Sequence, residues 1–165
     1  MKRTVLAVAA ASLAATVSAH PHFNKTITAK LPSGVDVTIT YNTTPSNEMH
    51  ATNAKVGEFI TIGGTAAFDP ATGELVGADA YLQTKRILDS FKVMLESAGS
   101  DLDHVVHVNV FLLRMADFDE MNRAYVEKMG AHRPARTVIG VHELPKPGVM
   151  LTMNLTAVTR HGRGV

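Results

Sequence analysis

The polar residues of the C-terminal third carry the chemistry that this sequence can support. Arg136 stands in the segment Pro134-Ala135-Arg136, and a planar guanidinium can pair with a carboxylate through two parallel hydrogen bonds. Thr152 and Asn154 are two residues apart in a predicted strand, so their side chains lie on one face. An amide can orient a water molecule, but it cannot accept and return a proton at neutral pH. Taken without further context, Arg136 fits an ordinary surface ion pair better than a ligand site.

The eight histidines do not form a metal-binding pattern. His104 and His107 are three residues apart in one predicted strand, which places them on opposite faces, and the chain has no cysteine to support them. His20 and His22 would begin the chain after removal of a leader, but Pro21 lacks the amide N–H that a terminal copper motif uses. A frayed polar tail is the favoured interpretation there. We therefore predict no metal site.

Length and composition limit the class of protein. The chain has 165 residues, of which 45% are hydrophobic and 19% are charged, and this excludes a disordered, collagen-like or disulfide-stapled chain. The length fits one domain with a real core. A net charge of +1 gives no electrostatic case for nucleic acid, so we predict no nucleic-acid partner. There is also no phosphate loop and no nucleophile elbow.

The N-terminus has the pattern of an export signal. Lys2 and Arg3 precede an uncharged apolar run over residues 4–17, and Val17-Ser18-Ala19 resembles a signal-peptidase site. The run is too short and too rich in alanine for a good membrane span, which needs roughly 20 residues. We predict cleavage after residue 19 and an exported protein, periplasmic or else secreted, with no membrane attachment. A buried N-terminal helix and an uncleaved anchor are the alternatives.

Hydrophobic periodicity predicts the first elements. Residues 26–31 and 35–41 alternate β-branched and polar types around a Pro-Ser-Gly turn, which predicts a β-hairpin. Residues 42–57 are polar and aperiodic, so we predict mostly loop. Residues 58–62 predict a strand that ends at Gly63 and Gly64. Residues 79–98 show an apolar stripe at helical spacing, with Asp79 to cap the start and Gly99 to end the helix.

The second half continues with alternating elements. Residues 104–113 are rich in valine and predict a buried strand with more apolar surface than two helices can cover. Asp117 and Glu120 resemble a capping box, and the following helix runs to Met129 and stops at Gly130. Residues 136–142 and 149–158 predict two more strands around the turn at 145–148. This order predicts one α+β domain, a sheet with two helices on one face.

Five segments in the same order resemble the RidA/YjgF family of reactive-intermediate deaminases. They are FITIGG, FDPATGELV, the helix and strand of residues 83–113, DFDEMNRAYVEKM, and RPARTVIGVHELP with the last strand. The resemblance covers about residues 56 to 160, and it implies a chorismate-mutase-like fold and a homotrimer with clefts between subunits. It also implies hydrolysis of enamines and imines without a metal or organic cofactor. The predicted organisation is a signal peptide over 1–19, an N-terminal hairpin extension and loop over 20–50, and a RidA-like domain over 51–165.

The resemblance assigns binding roles to four residues. Arg136 matches the arginine that holds the substrate carboxylate. Asn122 matches an asparagine that lies near a neighbouring subunit's site in a family trimer, and a helix-surface asparagine without a role is the alternative. Gly63 matches the glycine turn that lines the cleft. Val138 stands where cysteine is common, and its backbone N–H can still serve the cleft.

The last strand departs from the family pattern. Active members carry two alternating glutamates there, and the second is the acid/base that activates water. Thr152 and Asn154 occupy those positions. Loss of a positioned acid/base costs about 10²–10⁴ in rate, and neither Glu143 nor Glu58 is obviously placed to replace it.

We therefore expect a trimeric RidA-like protein that binds a small carboxylate- or carbonyl-bearing ligand, or an imine, in an intersubunit cleft through Arg136. We do not expect standard 2-aminoacrylate deamination. An active deaminase or related hydrolase, in which Asn154 holds water, is the first alternative. A non-catalytic interaction module is the second.

Overall fold

The computed structural model describes residues 15–16, 25–41 and 51–160. Most of the predicted signal peptide and both His20 and His22 lie outside this part of the chain. The described residues form eight strands and two α-helices, with single turns of 3-10 helix at Leu102–His104 and Met115–Asp117. The strands are β1 Ala15–Thr16, β2 Lys25–Lys30, β3 Asp36–Tyr41, β4 Ala51–Val56, β5 Phe59–Thr65, β6 Val105–Leu112, β7 Ala135–Gly140 and β8 Leu151–Val158. The helices are α1 Ala80–Ser97 and α2 Phe118–Met129.

All eight strands join one sheet in the order β1-β2-β3-β4-β5-β8-β6-β7. Among them only β6 and β7 run parallel. The last strand, β8, lies between β5 and β6, so the C-terminal segment forms an interior strand of the sheet. Apolar side chains from one face of β5, β6 and β8 pack with those of α1 and α2 into a single core that includes Ile60, Phe91 and Leu151. The predicted α+β domain with one sheet and two helices is confirmed.

The N-terminal hairpin forms as its sequence predicts. β2 and β3 pair antiparallel from Lys25–Tyr41 to Lys30–Asp36, because alternate β-branched residues favour a pleated strand. Gly34, with φ 84°, takes the left-handed conformation in the turn, and its N–H donates to the Leu31 carbonyl at 2.8 Å. The register places Thr28 opposite Thr38, and their hydroxyl oxygens lie 3.4 Å apart.

The prediction of loop over residues 42–57 is wrong for residues 51–56, which form β4. β4 pairs with β3 on one side and with β5 on the other. Its sequence, ATNAKV, is mostly small and polar and has little strand propensity of its own. Two flanking strands therefore determine its conformation. Residues 42–50 lie outside the described part of the chain.

Helix α1 begins and ends at the predicted residues. The Asp79 carboxylate accepts a hydrogen bond from the Leu82 N–H at 2.7 Å, and Gly99 follows the helix with φ 82°. One residue of its inner stripe is polar. The buried Gln83 amide donates to the carbonyls of Gly77 at 3.1 Å and Gly148 at 2.9 Å, and its Oε1 accepts the Met150 N–H at 2.9 Å. This side chain joins α1 to the loop before it and to the turn that leads into β8.

Helix α2 does not begin with the predicted capping box. The Asp117 side chain makes no hydrogen bond to the helix N-terminus. Its carboxylate instead accepts from Arg114, with Nη2 at 2.8 Å and Nε at 3.1 Å. The bidentate pair gives this carboxylate two charge-assisted hydrogen bonds to a full positive charge, whereas a cap would give it bonds to backbone N–H groups only. The helix ends at Gly130, as predicted, where φ is 60°.

The sheet has a second face that neither helix covers. We call it the open face, and in β5–β8 it carries the residues Phe59, Thr61, Asn109, Phe111, Thr137, Ile139, Thr152, Asn154 and Thr156. The valine-rich strand β6 is thus buried on its helix side only, whereas the sequence predicts a buried strand. Phe59 is 63% exposed and Ile139 is 46% exposed. No helix in the described part of the chain combines the length and hydropathy of a membrane span.

Candidate functional site

Strand β7 positions Arg136 against α2. β7 pairs with β6 in parallel register, so Arg136 and Val138 lie beside Val108 and Val110 on the helix side of the sheet. Thr137 and its neighbour Ile139 lie on the open face. Strand alternation therefore sets the direction of Arg136, and α2 supplies the wall that it meets.

The Arg136 guanidinium is held at one edge and on one face. Its Nη2 donates to the Asn122 Oδ1 at 2.9 Å, and its Cζ lies 4.5 Å from the centroid of the Tyr125 ring. The side chain is half-buried. Among the described residues, no carboxylate lies within the 4.0 Å of an ion pair with it. The positive charge is thus oriented and partly desolvated, yet no anion of the described chain neutralises it.

Tyr125 is a site residue that the sequence motifs did not identify. It is 3% exposed, and its hydroxyl has no hydrogen-bond partner in the described part of the chain. Burial raises the pKa of the Tyr125 hydroxyl, while the positive charges of Arg136 and Arg133 act in the opposite direction. Its spacing of three residues from Asn122 on a predicted helix was the available signal, because such residues share a face.

Asn154 lies on the open face with a partner that the sequence did not identify. Asn109 stands directly opposite it on β6, and the Asn109 Nδ2 donates to the Asn154 Oδ1 at 2.8 Å. Finding this pair from the sequence requires the register between two strands 45 residues apart. Thr152 lies on the same face, opposite Phe111. Both predicted replacements of the family glutamates therefore point away from the helices.

Gly63 lies at an irregularity of β5. Ile62 is opposite Leu155 and Thr65 is opposite Met153, so β5 carries one extra residue at this point. This is a β-bulge, a feature that redirects side chains and is common beside functional sites. The two carboxylates weighed as replacement bases, Glu58 and Glu143, are exposed.

One chain does not bring all the predicted site residues together. Arg136, Asn122 and Val138 lie at the β7 edge on the helix side, and Asn122 contacts the arginine of its own chain. Thr152 and Asn154 lie on the opposite face of the same sheet. A single ligand cannot contact both groups through the sheet of one subunit.

Three of the described histidines, His104, His107 and His132, make hydrogen bonds. The His104 Nδ1 lies 2.6 Å from the Asp101 Oδ1, and the His107 Nε2 lies 3.5 Å from the Thr137 Oγ1. His132 contacts the Val105 carbonyl. Within the described residues, no three His, Asp or Glu side chains form a cluster suited to a metal ion.

Comparison with known proteins identifies the class of this fold. The family model described as Endoribonuclease L-PSP matches residues 43–159. A RutC family protein of Pyrococcus abyssi is 44% identical over 103 residues, which cover 62% of this chain and 80% of that protein. The yeast protein MMF1, mitochondrial, from Saccharomyces cerevisiae, is 30% identical over 117 residues, covering 71% and 79% of the two chains.

Solved structures agree with the sequence comparisons. The crystal structure of yeast Mmf1 superposes with a TM-score of 0.64 at 30% identity, covering 68% of this chain and 88% of that one. RidA from the Antarctic bacterium Psychrobacter sp. PAMC 21119 gives 0.63 at 31% identity, with 67% and 88% covered. The matches define a class of small α+β proteins with one sheet and two helices. The chain belongs to the Endoribonuclease L-PSP family, the family of the RutC and YjgF/RidA proteins, as the sequence predicts.

Proposed function

We propose that this protein binds a small carboxylate- or carbonyl-bearing molecule through Arg136. The observation that carries the proposal is the state of the guanidinium, which is oriented by Asn122 and Tyr125 but paired with no carboxylate of the described chain. A partly buried, unpaired charge is costly to the fold, and a ligand carboxylate would offset this cost. The remaining guanidinium N–H groups suit two parallel hydrogen bonds to such a group.

The proposed site lies between subunits of a homotrimer. Within one chain the sheet separates Arg136 from Asn154 and Thr152, so a cleft that includes all three residues needs a second copy. The open face supports the same arrangement, because its exposed Phe59 and Ile139 are apolar surface that another subunit would bury.

We expect slow or absent deamination of simple imino acids. The Asn154 amide already uses its Oδ1 to accept from Asn109, and it has no group that titrates near neutral pH. An active enamine or imine deaminase stays the first alternative and a non-catalytic interaction module the second. A measurable steady-state rate of imine hydrolysis would favour the active deaminase over our proposal. Binding of a small carboxylate would favour our proposal over the interaction module.

We also propose that the protein is exported. The support is the pattern of residues 1–19, with two basic residues, an apolar run and small residues before His20. In a bacterial host, N-terminal sequencing of periplasmic protein should begin at His20. Full-length protein confined to the cytoplasm would contradict this.

Carboxylate binding is tested directly with pyruvate. We expect saturable binding to the wild-type protein in an NMR titration, and a loss of roughly tenfold or more in Arg136→Ala, since a charge-assisted pair is removed. Arg160→Ala is the matched control, because the Arg160 guanidinium is already paired with the Asp101 Oδ2 at 2.8 Å. Equal pyruvate affinity in the wild type and Arg136→Ala would overturn the proposed function.

A further inference from the structure

Two side chains from one turn of α2 meet Arg136. One accepts a hydrogen bond from the guanidinium, and the other places an aromatic ring against it. Asn122 and Tyr125 are three residues apart, so their side chains lie on the same face of the helix. Asn122 accepts a hydrogen bond from Nη2 of the guanidinium, and the guanidinium Cζ lies over the Tyr125 ring. We infer that these two residues form a cradle that positions Arg136 for its ligand, and that neither contacts the ligand itself. This inference rests on the proposed function.

The ring of Tyr125 carries the interaction, and its hydroxyl does not. A guanidinium within about 6 Å of an aromatic centroid is attracted to the face of the ring, more strongly where water is excluded. The Tyr125 hydroxyl is buried and has no partner among the described residues, so it offers nothing to Arg136 or to a ligand. A phenylalanine ring would therefore serve the same purpose.

The cradle also changes the role of Asn122. Its Oδ1 accepts a hydrogen bond from the Arg136 Nη2, so this side chain fixes the direction of the guanidinium. One edge and one face of the guanidinium are taken by α2. No other hydrogen bond from a described residue engages it, which leaves its other N–H groups for a planar carboxylate. Asn122 is thus a positioning residue, whereas the family resemblance places it near a neighbour's site.

A second arginine–tyrosine stack provides a matched control. The Cζ of Arg123 lies 4.4 Å from the centroid of the Tyr81 ring, nearly the distance found at Tyr125. Tyr81 is on α1, and its hydroxyl donates to the Glu127 Oε2 at 2.5 Å. Loss of this stack removes the same kind of contact without touching Arg136.

The binding arm of the test uses pyruvate and four variants. Tyr125→Phe should bind pyruvate like the wild type, whereas Tyr125→Leu should bind it roughly 2- to 30-fold more weakly, because the cation–π contact is lost. Asn122→Leu should weaken binding roughly 2- to 10-fold. Tyr81→Leu should leave the affinity unchanged. Unchanged affinity in both Tyr125→Leu and Asn122→Leu would overturn the cradle.

The spectroscopic arm needs no ligand. A ring face shields protons above it, so the Arg136 Nε–H signal, identified by its absence from Arg136→Lys, should be shifted upfield in the wild type and in Tyr125→Phe. It should return to the ordinary arginine position in Tyr125→Leu. If Tyr125→Leu does not fold, Asn122→Leu and the wild-type signal decide the question. An unshifted wild-type signal would overturn the cradle even if Arg136 binds pyruvate.

The two claims fail separately. If Arg136→Ala binds pyruvate normally, the proposed function is wrong. The chemical shift of the Arg136 Nε–H then remains as the test of the cradle. If Arg136→Ala loses binding while the α2 variants keep it, the proposed function stands and the cradle is wrong.

Discussion

At the scale of single residues, position 154 already has a hydrogen-bond donor aimed at it. The Asn109 Nδ2 points to the Asn154 Oδ1 at 2.8 Å, and an acceptor of any charge at this position would receive that bond. A carboxylate there would be held in its ionised form, since a hydrogen bond to the charged state favours it. The open face is therefore prepared for a carboxylate that the sequence does not supply.

Introducing that carboxylate should raise imine hydrolysis. We expect Asn154→Glu, alone or with Thr152→Glu, to hydrolyse simple imino acids faster than the wild type, by up to about 10²–10⁴ if the rest of the cleft is competent. An amino-acid oxidase can generate the imine, and semicarbazide can report what remains. Asn154→Gln is the matched control, because it has the size of glutamate without its acid/base chemistry. A wild-type rate equal to that of Asn154→Glu would mean that another group carries the proton.

The residues of the site were only partly predictable. Arg136 and Asn122 were predicted as site residues because a sequence motif surrounds each, and the structure joins them by a hydrogen bond. Asn109 and Tyr125 were missed as partners, since one depends on strand register and the other on how a helix packs against an edge strand. The local sequence pattern predicts neither the register between strands nor the packing of a helix on a strand.

At the scale of elements, Gln83 holds three segments together. It lies in α1 and bonds the backbone at Gly77, Gly148 and Met150. The turn at 145–148 leads into the interior strand β8, so this one amide fixes the start of β8 relative to the helix. The Gln83 side chain is buried, so its amide depends on these three backbone groups for its hydrogen bonds.

Replacement of Gln83 should destabilise the fold. We expect Gln83→Leu to lower the free energy of unfolding by roughly 1–3 kcal/mol, since three partly solvated backbone groups lose their hydrogen bonds to α1. Thr84→Val is the matched control, because Thr84 is equally buried but its hydroxyl has no partner among the described residues. Urea unfolding of both variants measures the difference. Equal stability of the two variants would contradict the role of Gln83.

Asp101 links the end of β8 to the start of β6, because its carboxylate contacts both Arg160 and His104. The stability that this carboxylate contributes depends on pH. Burial by itself raises the pKa of Asp101, but the hydrogen bonds from His104 and Arg160 outweigh it, and the net pKa lies below the ordinary 3.8. A carboxyl group whose pKa is lowered in the folded state stabilises the fold fully at pH values above its pKa in the unfolded state. This contribution is lost as the pH falls through the folded value.

The stability difference between the wild type and Asp101→Asn should therefore depend on pH. We expect a constant difference in unfolding free energy from about pH 7 to pH 5, which narrows below about pH 4. Urea unfolding at each pH provides the measurement. Asp103→Asn is the control, since Asp103 is exposed and its side chain makes no hydrogen bond or ion pair with another described residue. A difference that grows in acid would show that the sign is wrong.

The elements themselves were more predictable than their arrangement. The threonine alternation of β2 and β3 and the stripe of α1 are strong local signals, and both elements formed. β4 was missed because its neighbours determine it, and the capping box failed because Arg114 competes for Asp117. The insertion of β8 between β5 and β6 is a tertiary arrangement that no local window contains.

At the scale of the whole molecule, the open face predicts assembly. Light scattering at micromolar concentration should give a trimer for the wild type. Ile139→Lys should shift it toward monomers, because a charge would be buried against another subunit. Leu82→Lys is the matched control, since Leu82 on α1 is 45% exposed and Ile139 is 46% exposed. A wild-type monomer would remove both the trimer and the shared cleft.

The position of β7 has a consequence for solubility. β7 is the last strand of the sheet, and no described strand pairs with its outer edge. Unpaired peptide groups along an edge are a template for adding a strand from another chain, and a charged side chain on such a strand opposes this. Arg136 is the one charged residue of β7. Its replacement by alanine would leave an uncharged edge, and a separated subunit with that edge should aggregate more readily than one with lysine at position 136.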